Sequence, residues 1–121
     1  RGEVVVFRYP QDPSQRFIKR VIGLPSENIE LTQGEIIIKN KIGEQLNLDE
    51  SQYLNFSDAR LALEDEKVIL KEDEYFVMGD NRAHSFDSRK WGVLQKNFIV
   101  GRVIFRAWPF TNLSAFSAPA Y

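Results

Sequence analysis

Short runs of Val, Ile, Phe and Tyr, each cut off within a few residues by Gly, Pro, Asn or Asp, constrain this chain more than any other feature. β-Branched and aromatic residues suit the pleated, half-buried surface of a strand, and the interrupting residues suit turns. Strands are expected over residues 3–7, 17–22, 29–32, 35–39, 75–78 and 99–106. Tyr9-Pro10-Gln11-Asp12-Pro13 separates the first two, because each proline fixes φ and lacks an N–H donor. Gln33-Gly34 suits a tight hairpin between the third and fourth. Gly79-Asp80-Asn81 ends the fifth in a turn. The stretch 47–73 is acidic and carries no strong strand signal; Ser57 there is placed to cap a short helix over 58–64, with Leu61 facing inward. The expected fold is mainly β. Its core is built from both ends of the chain (1–29 and 72–110), with a small β-rich insertion over 30–71 and a loosely held tail over 111–121. Trp108-Pro109-Phe110 is expected to close that core.

Length and composition narrow the function. The 121 residues make one domain, with 16 basic against 17 acidic side chains and a net charge of −1. No global basic field exists to hold nucleic acid. The absence of cysteine excludes disulfides, thiolate metal sites and cysteine nucleophiles. The one histidine, His84, lacks the spaced partners of a metal site and reads as a surface or supporting residue. No apolar run approaches the roughly 20 residues that cross a bilayer. The chain opens at Arg1 directly into a strand, which leads us to expect that it is the inside of a longer protein.

Two segments carry candidate chemistry. In Phe17-Ile18-Lys19-Arg20-Val21-Ile22, side chains alternate faces, so Phe17, Lys19 and Val21 share one face and Ile18, Arg20 and Ile22 the other. Each face then holds one cation between apolar neighbours. Desolvation disfavours an ammonium, and a lysine that works as a general base near neutrality needs a pKa of about 7–8 rather than about 10.4. The competing reading is an edge-strand lysine whose stem covers the core while its head stays in water. The second segment, Gly79-Asp80-Asn81-Arg82-Ala83-His84-Ser85-Phe86-Asp87-Ser88-Arg89, is a polar loop. Its acids and arginines interleave, which suits charge-assisted pairs that hold a loop rigid and present Ser85 at a fixed place. A calcium loop is the rival, and the two arginines compete for the same carboxylates. A solvated connection with weak surface ion pairs is the plainest alternative.

Taken together, these segments resemble the bacterial type I signal peptidase family. The motifs run in order: Arg1-Gly2-Glu3-Val4-Val5-Val6-Phe7, then Lys19-Arg20-Val21-Ile22-Gly23-Leu24-Pro25, then Gly79-Asp80-Asn81-Arg82 with Ser85 and Asp87-Ser88-Arg89. The finish from Gly101-Arg102 to Trp108-Pro109-Phe110 is also similar. The resemblance covers about 60 residues at the two ends, and its third motif is long and specific. It implies coiled β-sheets forming an SH3-like barrel of the signal peptidase type. It also implies a serine–lysine endopeptidase that removes signal peptides from exported preproteins without a metal or cofactor. Lys19 matches the general base and Ser85 the serine that orients it. Arg20, Asp80, Asn81, Arg82, Asp87, Ser88 and Arg89 match the supporting scaffold. Val6, Phe17 and Ile18 match positions that line the cleft where the preprotein binds as an extended strand. The implied place is the outer face of the cell membrane, reached through an anchor outside this chain.

Two departures stand out. Ser26-Glu27 occupies the place where the family's second motif continues Gly-Asp. The family's nucleophile is a serine followed by methionine, upstream of the first motif; the one methionine here, Met78, follows Val77. The chain as given therefore lacks the attacking hydroxyl, as a fragment of a longer enzyme or an inactive relative would. A non-catalytic β module that binds extended peptides, and a self-cleaving repressor of the SOS type, are the competing functions. The Gly79-to-Arg89 run weighs against the repressor.

Overall fold

The structure, a computed structural model, describes residues 1–54 and 64–103. It is mainly β, with nine strands among the described residues. They are β1 (Val4–Tyr9), β2 (Asp12–Gly23), β3 (Asn28–Thr32), β4 (Glu35–Lys39), β5 (Gln45–Asn47), β6 (Glu66–Ile69), β7 (Glu74–Met78), β8 (Leu94–Gln95) and β9 (Ile99–Arg102). One short helix, α1 (Ser88–Trp91), and a 3-10 turn at Lys96–Phe98 interrupt the last third. Two sheets result, in the orders β8-β7-β2-β1-β9 and β5-β4-β3-β6.

Turn chemistry sets the registers. Tyr9 pairs directly with Asp12, so the first hairpin turns on Pro10-Gln11 and β2 starts five residues earlier than the apolar pattern shows. Asp12 secures that start by accepting from the Ser14 hydroxyl (2.6 Å) and Gln15 (2.8 Å). Gln33 and Gly34 both adopt positive φ (49° and 75°), the two-residue turn that matches strand twist. β6 lies inside the acidic stretch that carries no strong strand signal. Its four residues, Glu-Lys-Val-Ile, are too few and too charged to declare themselves, and they are strand because β3 supplies partners from Asn28 to Leu31. The expected helix over 58–64, of which only Glu64 is described and is not helical, the strand end at 104–106, the Trp108-Pro109-Phe110 closure and the 111–121 tail lie outside the described residues.

The long strand β2 serves two cores because its side chains alternate. Val21 and Val77 point to one side, with Val5, Phe7 and Leu94. Ile22, Phe76 and Met78 point to the other and meet Ile29, Leu31, Ile36, Ile38 and Leu70 of the second sheet and its edge. Burying a side chain of this size stabilises by about 1.5–3 kcal/mol each. The two clusters thus lock β2 and β7 between them. Lys19 lies on β2 one turn of the pleat before Val21, and the Gly79 loop leaves the end of β7.

Candidate functional site

Strand pairing brings the two candidate segments together. Arg20 pairs with Met78 at the end of the β2–β7 ladder, so the chain beyond Met78 emerges beside Lys19. The Lys19 amine donates to the Ser85 hydroxyl at 3.1 Å. It lies 5.8 Å from the centre of the Phe17 ring, on the same face of the strand. Lys19 and Ser85 are both half-buried.

Gly79 makes this approach possible. A Cβ built on it would lie 2.0 Å from the Ser85 hydroxyl oxygen, 2.6 Å from the Ser85 Cβ and 3.4 Å from the Lys19 amine. Its φ lies outside the left-handed region, so space and not backbone conformation demands glycine here. The peptide groups of Gly79 are gripped on both sides. Its N–H donates to Asp87 (2.9 Å), and its carbonyl accepts from the Arg82 Nε (2.8 Å).

Asp87 anchors the loop. It accepts from Arg89 Nε (2.9 Å) and Nη2 (2.8 Å) and caps α1 through the Arg89 N–H. Burial pushes its carboxyl up, but hydrogen bonds from Arg89 and Gly79, the Arg89 charge and the Ser85 hydroxyl outweigh burial and hold it below its ordinary value. The Ser85 hydroxyl, which accepts from Lys19, thus contributes to keeping Asp87 ionised. Ser88 is buried, its hydroxyl accepting from the Val77 N–H (3.0 Å).

Two arginines brace the loop, Arg20 from β2 and Arg82 from within it. Arg20 binds both oxygens of Asp80 (2.9 and 2.8 Å) and reaches the Gly2 carbonyl (2.7 Å). Arg82 is buried, paired with the buried Glu50 through both terminal nitrogens. Glu50 also accepts from the Tyr53 hydroxyl (2.8 Å), and the Tyr53 ring covers the Arg20 guanidinium at 3.9 Å. Behind Ser85, Glu66, Arg82 and Arg89 line a pocket of about 200 Å³. Burial there pushes the Glu66 carboxyl up, with Arg89 opposing.

The structure thus brings Lys19, Arg20, Asp80, Arg82, Ser85, Asp87, Ser88 and Arg89 into one network. Asn81 and His84 are exposed and contribute a backbone turn, His84 N–H to Asn81 carbonyl at 3.1 Å. Val6 and Ile18 face each other across β1 and β2, on the side of the hairpin away from Phe17 and Lys19; Ile18 is 60% exposed. Phe17 packs instead with Phe7, Tyr9 and Phe86. β7 pairs with β2 only from Arg20 onward, so among the described strands one backbone edge of residues 12–19 has no partner. Sequence reasoning missed Glu50, 32 positions from the loop residue Arg82 that it pairs with, and Tyr53, which contacts Glu50 and Arg20, in a stretch with no motif to mark them. Among the described residues no acid or histidine cluster fits a metal ion, and no helix is long and apolar enough to cross a membrane.

The second-motif departure has a structural reading. Ser26 adopts φ 69°, the left-handed region that favours glycine. Glu27 accepts from the Leu24 N–H (2.7 Å) and pairs with Arg1 through both oxygens (2.7 and 2.6 Å), tying the chain start to the turn.

The model of the signal peptidase (peptidase S26) family matches residues 1–108. Among curated relatives, the probable signal peptidase I-2 of Synechocystis is 38% identical over 115 residues, 90% of this chain and 48% of that protein. Signal peptidase I of Leptolyngbya laminosa is 37% identical over 98% of this chain and 58% of its own. Signal peptidase I of Pseudomonas aeruginosa is 32% identical over 97% of this chain and 54% of its own. The chain therefore spans about half the length of these relatives. A crystal structure of a signal peptidase I from Enterococcus faecalis superposes with a TM-score of 0.70 at 28% identity, covering 85% of this chain and 94% of that one. The chain belongs to the signal peptidase (peptidase S26) family.

Proposed function

We propose that the full-length protein is a membrane-anchored endopeptidase that removes signal peptides from exported preproteins. In this reading Lys19 is the general base, Ser85 orients it, and the nucleophilic serine comes from a part of the protein outside this chain. The observation that carries the reading is the Lys19–Ser85 contact at 3.1 Å, seated on Gly79, in a chain matched by the signal peptidase family. In its role as base, the Lys19 amine keeps one N–H on Ser85 and turns its nitrogen lone pair toward another hydroxyl. That hydroxyl attacks the scissile carbonyl as Lys19 takes its proton. The C–N bond breaks as Lys19 returns the proton to the leaving amine. Water, deprotonated by the same amine, then releases the acyl group and regenerates the serine. No step calls for a metal or cofactor.

The preprotein is proposed to lie as an added strand along the open edge of β2. Main-chain bonds would give affinity and alternate side chains would contact Phe17 on one face and Ile18 and Val6 on the other. Residues 1–29 and 72–110 are proposed as the catalytic part and 30–71 as an insertion. The domain is placed on the outer face of the membrane, where exported chains emerge. The chain by itself is expected to cleave nothing.

The test is processing of a purified preprotein by the full-length protein in detergent. Lys19→Ala is expected to abolish cleavage without lowering the melting temperature, and Ser85→Ala to reduce it by less. Cleavage retained by Lys19→Ala would overturn the assignment of the base. Preprotein bound by the wild type but never cut would instead favour a binding module using the same edge.

A further inference from the structure

We infer that Glu50 and Tyr53 are positioning residues for the Lys19–Ser85 pair, holding its floor in place from a segment remote in sequence; this rests on the proteolytic reading above. Arg82 is 2% exposed and its partner Glu50 6%. The Arg82 guanidinium divides between the Glu50 carboxylate and the Gly79 carbonyl. A buried guanidinium needs its counter-charge. Without Glu50 it turns toward water and releases the Gly79 carbonyl, leaving Gly79 held only through its N–H to Asp87. Gly79 is the surface on which the Ser85 hydroxyl rests, so a shift there moves Ser85 and, through it, the lysine amine.

Tyr53 completes the brace. Its hydroxyl fixes the Glu50 carboxylate, and its ring covers the Arg20 guanidinium that holds Asp80. Two arginines from different elements thus grip neighbouring residues, Gly79 and Asp80, and one short turn supports both. That turn is itself closed by the Tyr53 and Leu54 N–H groups donating to the Glu50 carbonyl (3.2 and 2.9 Å). Neither Glu50 nor Tyr53 belongs to either apolar cluster. Their contacts reach the arginines that hold the loop, and neither is part of the core.

The test uses the full-length protein, steady-state kinetics on a purified preprotein, and hydrogen exchange read by mass spectrometry. Glu50→Ala is expected to lower kcat by about 100-fold, the effect of a misplacement near 1 Å, while KM stays within about threefold. Tyr53→Phe keeps the ring and removes one hydrogen bond, and is expected to lower kcat by about threefold to tenfold. In both variants amides of residues 79–87 are expected to exchange faster, while those of residues 4–18 keep the wild-type rate. Tyr53→Phe folds even where Glu50→Ala does not. Wild-type kcat in Tyr53→Phe, or exchange raised equally across the molecule, overturns the inference and leaves Glu50 and Tyr53 as contributors to stability. A wild-type protein that leaves preprotein uncut overturns the proteolytic reading instead, and the exchange contrast then decides on the brace alone.

Discussion

Gly79→Ala adds one methyl group where the structure has no room for it. The new Cβ would lie 2.0 Å from the Ser85 oxygen, and ordinary contact begins at 3.4 Å, so the hydroxyl must retreat by roughly 1.4 Å. The loop cannot give way freely, because the Gly79 N–H and carbonyl are both held. A displacement on this scale is expected to lower kcat by about 100-fold, equivalent to about 2.7 kcal/mol at about 1.36 kcal/mol per tenfold. Crowding of this kind also costs about 1–3 kcal/mol of stability. The assay is preprotein processing by the full-length protein at saturating substrate, with thermal unfolding followed in parallel. The two effects separate through a double variant. In a Ser85→Ala background no hydroxyl remains to be displaced, so Gly79→Ala should cost far less activity than in the wild type while still lowering the melting temperature. A Gly79→Ala enzyme that keeps more than half its kcat, or equal losses in both backgrounds, would show that Gly79 does not seat Ser85.

Two further predictions concern stability. Ser26→Gly relieves a left-handed residue and should raise unfolding free energy by about 1 kcal/mol, keeping the backbone bond from residue 26 to the Lys71 carbonyl; an unchanged or lower urea midpoint refutes the strain. Asp87 has a folded pKa below its ordinary 3.8, so its stabilising contribution is complete above that value and is lost as pH falls through the folded one. Urea midpoints measured from pH 6 down to pH 2 should drop below about pH 4, and Asp87→Asn should flatten that part of the drop; parallel curves for the two proteins refute it.

The strands with strong apolar alternation were readable because residue type and period agree, as in residues 35–39 and 75–78, which match β4 and most of β7. β2 began early because Asp12 to Arg16 are polar and are held in the strand by β1 and by side-chain bonds at Asp12, not by burial. β5 and β6 escaped notice for the same reason: their partners, not their composition, make them strands. At the site, the charged pattern of the loop announced a rigid connection, and the ion pairs of Asp80 and Asp87 are of that kind. The pleat rule put Lys19 beside Phe17 and apart from Ile18, and the ring contact at 5.8 Å agrees. What no local pattern could supply was the pairing of Arg82 with Glu50, 32 positions apart, or the seat of Ser85 on Gly79. The first depends on a turn remote in sequence, the second on how the loop folds back on itself.

The amine and the hydroxyl that meet at Gly79 are separated by 66 positions along the chain. The second sheet is threaded wholly between them. A ribosome that has released the first hairpin has made only a lysine on a strand, beside Phe17 but without its hydroxyl partner. In the proposed mechanism, the base therefore meets its partner late in biogenesis, when β7 pairs with β2 and not before. Under the proposed mechanism, a chain truncated anywhere ahead of residue 85 would lack the base's partner and be silent as a protease.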